Sequence, residues 1–130
     1  MASTTIAGPL ANASLSTIVL YVNDLESMTA FYRDTLGLRV RVQTESYVEL
    51  AAGSGADIAL HAGQAPAAIE RHWFIEFRVD DIEAAVEALR ARGVDVGAIS
   101  ERWWGKEAAF ADPEGNRIEL EQPSPDGQPA

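Results

Sequence analysis

Near the end of the chain, residues 110–122 read FADPEGNRIELEQ, a turn signal followed by a run in which apolar and charged residues alternate. A period of two is that of a β-strand, so Glu119 must project from the face opposite Ile118 and Leu120. A carboxylate in mid-strand can ligate a metal, anchor a ligand or be plain surface charge. If partly buried it needs a partner, and Arg78, Arg117 and His61 are the candidates. Other chemistries lack the residues to carry them. The chain has no cysteine, which removes thiolate nucleophiles, disulfides and cysteine metal sites. None of its serines sits in a G-x-S-x-G elbow and no G-x-G-x-x-G or phosphate loop occurs; the GSG at 53–55 reads as a turn between strands.

The elements that must hold these groups are laid out by a repeat. YVNDLESMTAFYRDTLGLRV (21–40) and RVDDIEAAVEALRARGVDV (78–96) both read Val, polar, Asp, Leu or Ile, Glu, then a helical pattern closed by Gly. Leu25, Met28, Phe31, Tyr32 and Leu36 share one helical face; Ile82, Ala85, Val86 and Leu89 share the other, with Gly37 and Gly93 as stops. Asp24 is the expected cap of the first helix, and Asp80 with Glu83 the expected capping box of the second. A short alternating strand precedes each helix. In the first, Ile18, Leu20 and Val22 are expected to pack on the helix, leaving Thr17, Val19 and Tyr21 on the other face. In the second, Ile75, Phe77 and Val79 correspond, leaving Phe74, Glu76 and Arg78. The closing strands match too, as GADIAL (55–60) and GNRIEL (115–120). Each copy therefore reads strand, helix, three strands, and two copies are too few for a solenoid. The expectation is one α+β domain over 15–122, with modules at 15–61 and 72–122, a linker at 62–71, and loosely ordered ends at 1–14 and 123–130.

Composition narrows the partners. Against 20 acidic residues stand 10 basic ones, nine of them Arg and one Lys106, for a net charge of -10. Phosphate backbones and anionic membrane surfaces would repel such a chain, so nucleic acid and membrane are not expected partners. No apolar run approaches the ~18 residues of a membrane span. The first basic residue is Arg33, so the start lacks the positive segment of a secretory signal, and the expected location is the cytoplasm.

The βαβββ pair, the two helix-bearing stretches and above all FADPEGNRIEL resemble the vicinal oxygen chelate superfamily. That group holds glyoxalase I, extradiol dioxygenases, and fosfomycin- and bleomycin-resistance proteins. The resemblance covers roughly residues 15–122. It implies tandem βαβββ modules whose curved mixed sheets form a cleft, and a homodimer. In metal-dependent members the first and last strands of each module supply the ligands. Carried over by position, these fall on Thr17, Ala59, Phe74 and Glu119, and Glu119 is the one residue of metal-ligand type. Catalytic zinc, iron and manganese sites want about three protein ligands, so no metal and no other cofactor is expected. A site rebuilt on His61, Glu119 and Glu76 would have to shift by a same-face strand step of about 6.5–7 Å.

The resemblance also places Trp103 and Trp104, in SERWWGKEAAF, at the mouth of the cleft, where indoles stack on flat ligands. Tyr21 and Phe74, where ligand-bearing strands face the cleft, point to an apolar pocket. The expected site therefore comprises Thr17, Tyr21, Ala59, His61, Phe74, Glu76, Arg78, Trp103, Trp104 and Glu119. The expected function is metal-independent binding of a small, antibiotic-like organic molecule, aromatic or cationic, as in the bleomycin-resistance proteins. The alternative is a glyoxalase-like or dioxygenase-like enzyme, either metal-dependent or a cofactor-free epimerase, with Glu119 or His61 as its catalytic group.

Overall fold

A computed structural model describes residues 8–67 and 70–125. The first half forms β1 (Thr17–Val22), α1 (Leu25–Ala30), a π-helical turn (Phe31–Thr35), β2 (Arg39–Gln43), β3 (Tyr47–Ala51) and β4 (Asp57–Ala62). The second half repeats the order with β5 (Ile75–Arg78), α2 (Ile82–Ala91), β6 (Ser100–Arg102), β7 (Gly105–Ala111) and β8 (Arg117–Pro123). Each half makes a four-stranded mixed sheet, ordered β1-β4-β3-β2 and β5-β8-β7-β6. In both, the first strand lies parallel to the last and the other pairs are antiparallel. The architecture is the expected α+β pair of βαβββ units, without a closed barrel. Of the expected loose ends at 1–14 and 123–130, residues 1–7 and 126–130 lie outside the described residues, while Pro123 belongs to β8. No helix among the described residues is long and apolar enough to cross a membrane.

The registers place the repeat in space. Val19 pairs with Ala59 as Glu76 pairs with Glu119, and Glu49 pairs with Ala59 as Ala109 pairs with Glu119. Ala59 and Glu119 are therefore equivalent positions on the two sheets.

Local signals explain the helices. Asp24 caps α1 by accepting from the Ser27 amide at 3.1 Å. The second cap differs from expectation: Asp81, not Asp80, accepts from Ala84 at 3.1 Å. Starting there puts Ile82 fully inside, and Glu83 turns out to Lys106 at 2.7 Å instead of closing a capping box. Gly37 and Gly93 end the helical segments at φ of 82° and 85°, a region open to glycine at little cost. The π-helical turn, closed by Leu36 N–H to Phe31 C=O at 2.9 Å, brings adjacent Phe31 and Tyr32 edge to face at 5.5 Å.

One continuous core runs through both halves, including Leu20, Val22, Met28, Tyr32, Ile82 and Ile118. Ile18 departs from its expected place against the helix: it is 40% exposed and lines a recess between the sheets with Leu15, Ile58 and Phe74. Six residues of α1 cover the later part of β1, where Leu20 and Val22 are buried, and the strand's start is left open.

The DPEGN turn fastens the second half to the first. Asp112 accepts from the Tyr32 hydroxyl at 2.8 Å, from the Glu114 and Asn116 amides, and from the Asn116 side chain. Glu114 reaches across to accept from the backbone N–H groups of Asn23 and Asp24 at 2.7–3.0 Å. Arg71 ties the intervening segment by donating to Glu114 C=O, Asn116 Oδ1 and Pro66 C=O.

Candidate ligand-binding site

The faces without helices carry the candidate residues. On the second sheet, Glu76, Glu119 and Ala109 form one row, and Arg78, Glu121 and Glu107 the next. Glu119 is 8% exposed, and Arg117 pairs with it through Nε and Nη2 at 2.8 and 2.7 Å. The carboxylate's partner is thus its same-face neighbour on β8. Arg78, a candidate for that role, instead lies 3.6 Å from Glu121, and Arg102 pairs with Glu107 at 2.9 Å. Phe74, just ahead of β5, has its ring centroid 6.0 Å from the Arg117 guanidinium, within cation–π range. Three arginines match three glutamates here, and Glu76 has no ion-pair partner among the described residues. Burial pushes its carboxyl above the ordinary carboxylate range, and Glu121, Glu119 and Glu107 add to the shift while Arg78 opposes it.

On the first sheet, Tyr21, His61 and Tyr47 share a row, and Val19, Ala59 and Glu49 the next. The His61 ring lies 5.2 Å from Tyr21 and 6.1 Å from Tyr47. Its Nδ1 is 2.8 Å from Ala62 C=O, so that nitrogen donates and Nε2 is left as an acceptor. His61 is therefore not Glu119's partner; it belongs to a tyrosine cluster on the other sheet. Thr17 begins β1, where Asp57, facing it in register, pairs with Arg41 at 3.4 Å.

Large apolar groups are exposed on these faces: Val19 at 46%, Tyr21 at 56% and Phe74 at 49%. Between the sheets a recess of about 440 Å³ is bounded by Leu15, Ile18, Ile58, Phe74, Glu76 and Arg78, a size suited to a small organic ligand. A smaller one, about 180 Å³, touches Arg102, Glu107, Arg117 and Glu119. Trp103 and Trp104 form the β6–β7 turn and line neither cavity. Trp104 C=O accepts from Ser124 N–H at 2.8 Å, which sets the turn at the far end of β8 from Arg117. Trp103 is 72% exposed and Trp104 is half-buried. Tyr47 and Glu49, joined by a 2.8 Å hydrogen bond, belong to this surface and were not expected there. The alternation of YVELA, which puts both on one face, was their available signal.

The donor set does not fit a metal. Thr17, Ala59 and Phe74 bring at most a hydroxyl to the three other equivalent positions, and Glu119 is already held by a guanidinium. Among the described residues no three of His, Cys, Asp and Glu gather to hold an ion. Glu76 and Glu119 are neighbours, but His61 lies on the other sheet.

A family model described as the Glyoxalase/Bleomycin resistance protein/Dioxygenase superfamily matches residues 14–120. The chain belongs to this superfamily. No curated protein matches it in sequence. Among solved structures, this member of the superfamily is similar to TnmS3, an antibiotic binding protein from Streptomyces sp. CB03234, at 27% identity over 88% of this chain and 98% of that one, TM-score 0.75. A bleomycin resistance determinant encoded on the transposon Tn5 is 22% identical over 84% and 97%, TM-score 0.71. A lactoylglutathione lyase from Agrobacterium tumefaciens is 22% identical over 86% and 95%, TM-score 0.69. The last two establish the fold alone, since the glyoxalase/bleomycin resistance fold carries both binders and enzymes.

Proposed function

We propose that the chain is a metal-independent binding protein that takes up a small, antibiotic-like organic molecule, aromatic and cationic in character. The observation that carries this reading is the Arg117–Glu119 pair. Where the superfamily's metal-dependent members place an ion against this carboxylate, a guanidinium supplies the positive charge. The surrounding residues suit stacking and charge pairing: Tyr21 and Phe74 are exposed rings, and Glu76 is the carboxylate left over for a cation. The 27% likeness to an antibiotic binding protein supports the same reading. Thr17, Ala59, His61, Arg78 and Glu119 complete the proposed surface, and Trp103 and Trp104, outside both recesses at the other end of β8, are proposed as an outer platform. A second copy of the chain closes it, since exposed apolar sheet faces otherwise favour aggregation. The protein acts in the cytoplasm.

The free Nε2 of His61 favours one second reading, a cofactor-free acid–base enzyme working at the tyrosine cluster. Elemental analysis of protein purified without chelators tests the primary proposal. It should find well under one zinc, iron or manganese per chain. About one metal per chain, lost in Glu119→Ala, would overturn it.

A further inference from the structure

The seam between the two halves holds a third cavity, of about 400 Å³. Its walls include Leu36 and Leu38 after the π-helical turn, Phe77 and Val79 at the end of β5, and Leu89 and Phe110 from α2 and β7. Leu120 also lines it, and alternation along β8 sends Leu120 and Glu119 to opposite faces. The cavity therefore reaches the helix-bearing side of the sheets, and it meets the recess described above at Phe77 and Arg78.

Its charge runs against that of the whole molecule. The chain has twice as many acidic as basic residues, 20 against 10, yet no acidic residue lines this cavity and two arginines do, Arg39 and Arg78. Arg39 is exposed and makes no side-chain hydrogen bond or ion pair among the described residues, while Arg78 has one long contact, 3.6 Å from Glu121. An apolar chamber with underused guanidinium groups complements a molecule that is hydrocarbon at one end and anionic at the other. The net charge of -10 does not forbid this. Charges further than about 8 Å are largely screened at physiological salt, whereas a guanidinium in contact is not.

We propose that the seam cavity binds a small apolar monocarboxylate, its hydrocarbon part against Leu36, Leu38, Phe77 and Leu89 and its carboxylate between Arg39 and Arg78. The site shares Arg78 with the recess proposed above, and the test therefore turns on Arg39, which lines the seam cavity and not that recess, so either proposal can fail without the other.

Decanoate, with decylammonium as the charge-reversed control, is the probe. Titration of the ¹⁵N-labelled full chain should show saturable binding of decanoate, with amide shifts centred on residues 36–39 and 77–79. Arg39→Gln should weaken binding by about tenfold, the loss expected for one charge-assisted hydrogen bond, and Arg39→Glu by more. Arg39 is exposed, so both variants are expected to fold, which their unchanged spectra would verify. Decylammonium should bind at least about tenfold more weakly. The proposal is overturned if decanoate does not bind in the low millimolar range, if decylammonium binds as well, or if Arg39→Gln leaves the affinity unchanged. Shifts centred on Glu76 and Glu119 would overturn it too.

Discussion

Tyr32→Phe isolates one strut of the contact between the halves. The ring is fully buried and its hydroxyl donates to Asp112 at 2.8 Å. Asp112 is itself 5% exposed and accepts from three further donors, the Glu114 and Asn116 amides and the Asn116 side chain. The substitution keeps the ring and removes one of four donors from a buried carboxylate. A hydrogen bond to a charged group contributes about 1.5–3 kcal/mol, and the three remaining donors favour the lower half of that range, about 1.5–2 kcal/mol. For a chain of this length 1 kcal/mol moves Tm by roughly 3–5 °C, so Tm should fall by about 5–10 °C at pH 7. Calorimetry, with a urea midpoint that drops at constant slope, measures it. In an Asp112→Asn background the same change should cost clearly less, because the acceptor is neutral. The pH dependence adds a sign. Burial first, and then the Asp112 charge, hold the Tyr32 phenol far above its ordinary 10.0. Its stabilising contribution is therefore complete below pH 10 and declines as the unfolded chain's phenol ionises above it. The gap between wild type and Tyr32→Phe should narrow above pH 10. A loss under about 0.5 kcal/mol, or an equal loss in both backgrounds, would refute the argument.

Thr29→Val should raise Tm by about 3–5 °C, since the Thr29 hydroxyl is buried without a hydrogen-bond partner in α1 and removing it relieves roughly 1 kcal/mol; thermal melts decide. Glu76→Gln should stabilise slightly, by about 1–2 °C at pH 7 after allowing for solvent screening. Its raised pKa means the charged form is the costly one, so the gain should vanish once pH falls below the unfolded carboxylate value. Light scattering should give a dimer mass, and 14.0 kDa at all micromolar concentrations would contradict the proposed closure. A planar aromatic ligand should quench tryptophan fluorescence, with Trp103→Ala or Trp104→Ala weakening binding by up to roughly tenfold. If neither variant changes affinity while Phe74→Ala abolishes it, the ligand lies deeper between the sheets.

The period-two and helical patterns were enough to locate the first and last strand of each half and both helices, because each needs one covered face, whereas the middle strands β2, β3, β6 and β7 were expected only in number. The repeat also fixed which residues are equivalent, as the shared registers of Val19–Ala59 and Glu76–Glu119 show. What the sequence did not reveal was pairing. Arg78, Arg117 and His61 were equal candidates for Glu119, and the choice depended on strand register and on which sheet carries His61. The cap of α2 was misplaced by one residue because Asp80 and Asp81 are both good caps; aligning Asp24 with its repeat partner would have selected Asp81. Ile18 followed the alternation but not the burial, since a six-residue helix cannot shield a whole strand. The seam cavity was invisible because it joins residues from both halves that no local pattern links.

In each sheet the first strand lies beside the last, and this has a consequence for synthesis on the ribosome. A parallel partner cannot be reached by a tight hairpin, so β1 must wait for β4 and β5 for β8. β8 also carries β7, which makes it the spine of the second sheet and the latest strand of it to be made. A nascent chain stopped before residue 117 would hold β5, α2, β6 and β7 with no common partner. Stopped one residue sooner, it would also leave Asp112 without the Asn116 amide and side chain that help to hold its carboxylate. The first sheet depends on β4 in the same way, but it can assemble once residue 62 is clear. Folding should thus proceed in two pulses separated by the time needed to translate the second half, with the apolar face of α2 open to chaperones in between.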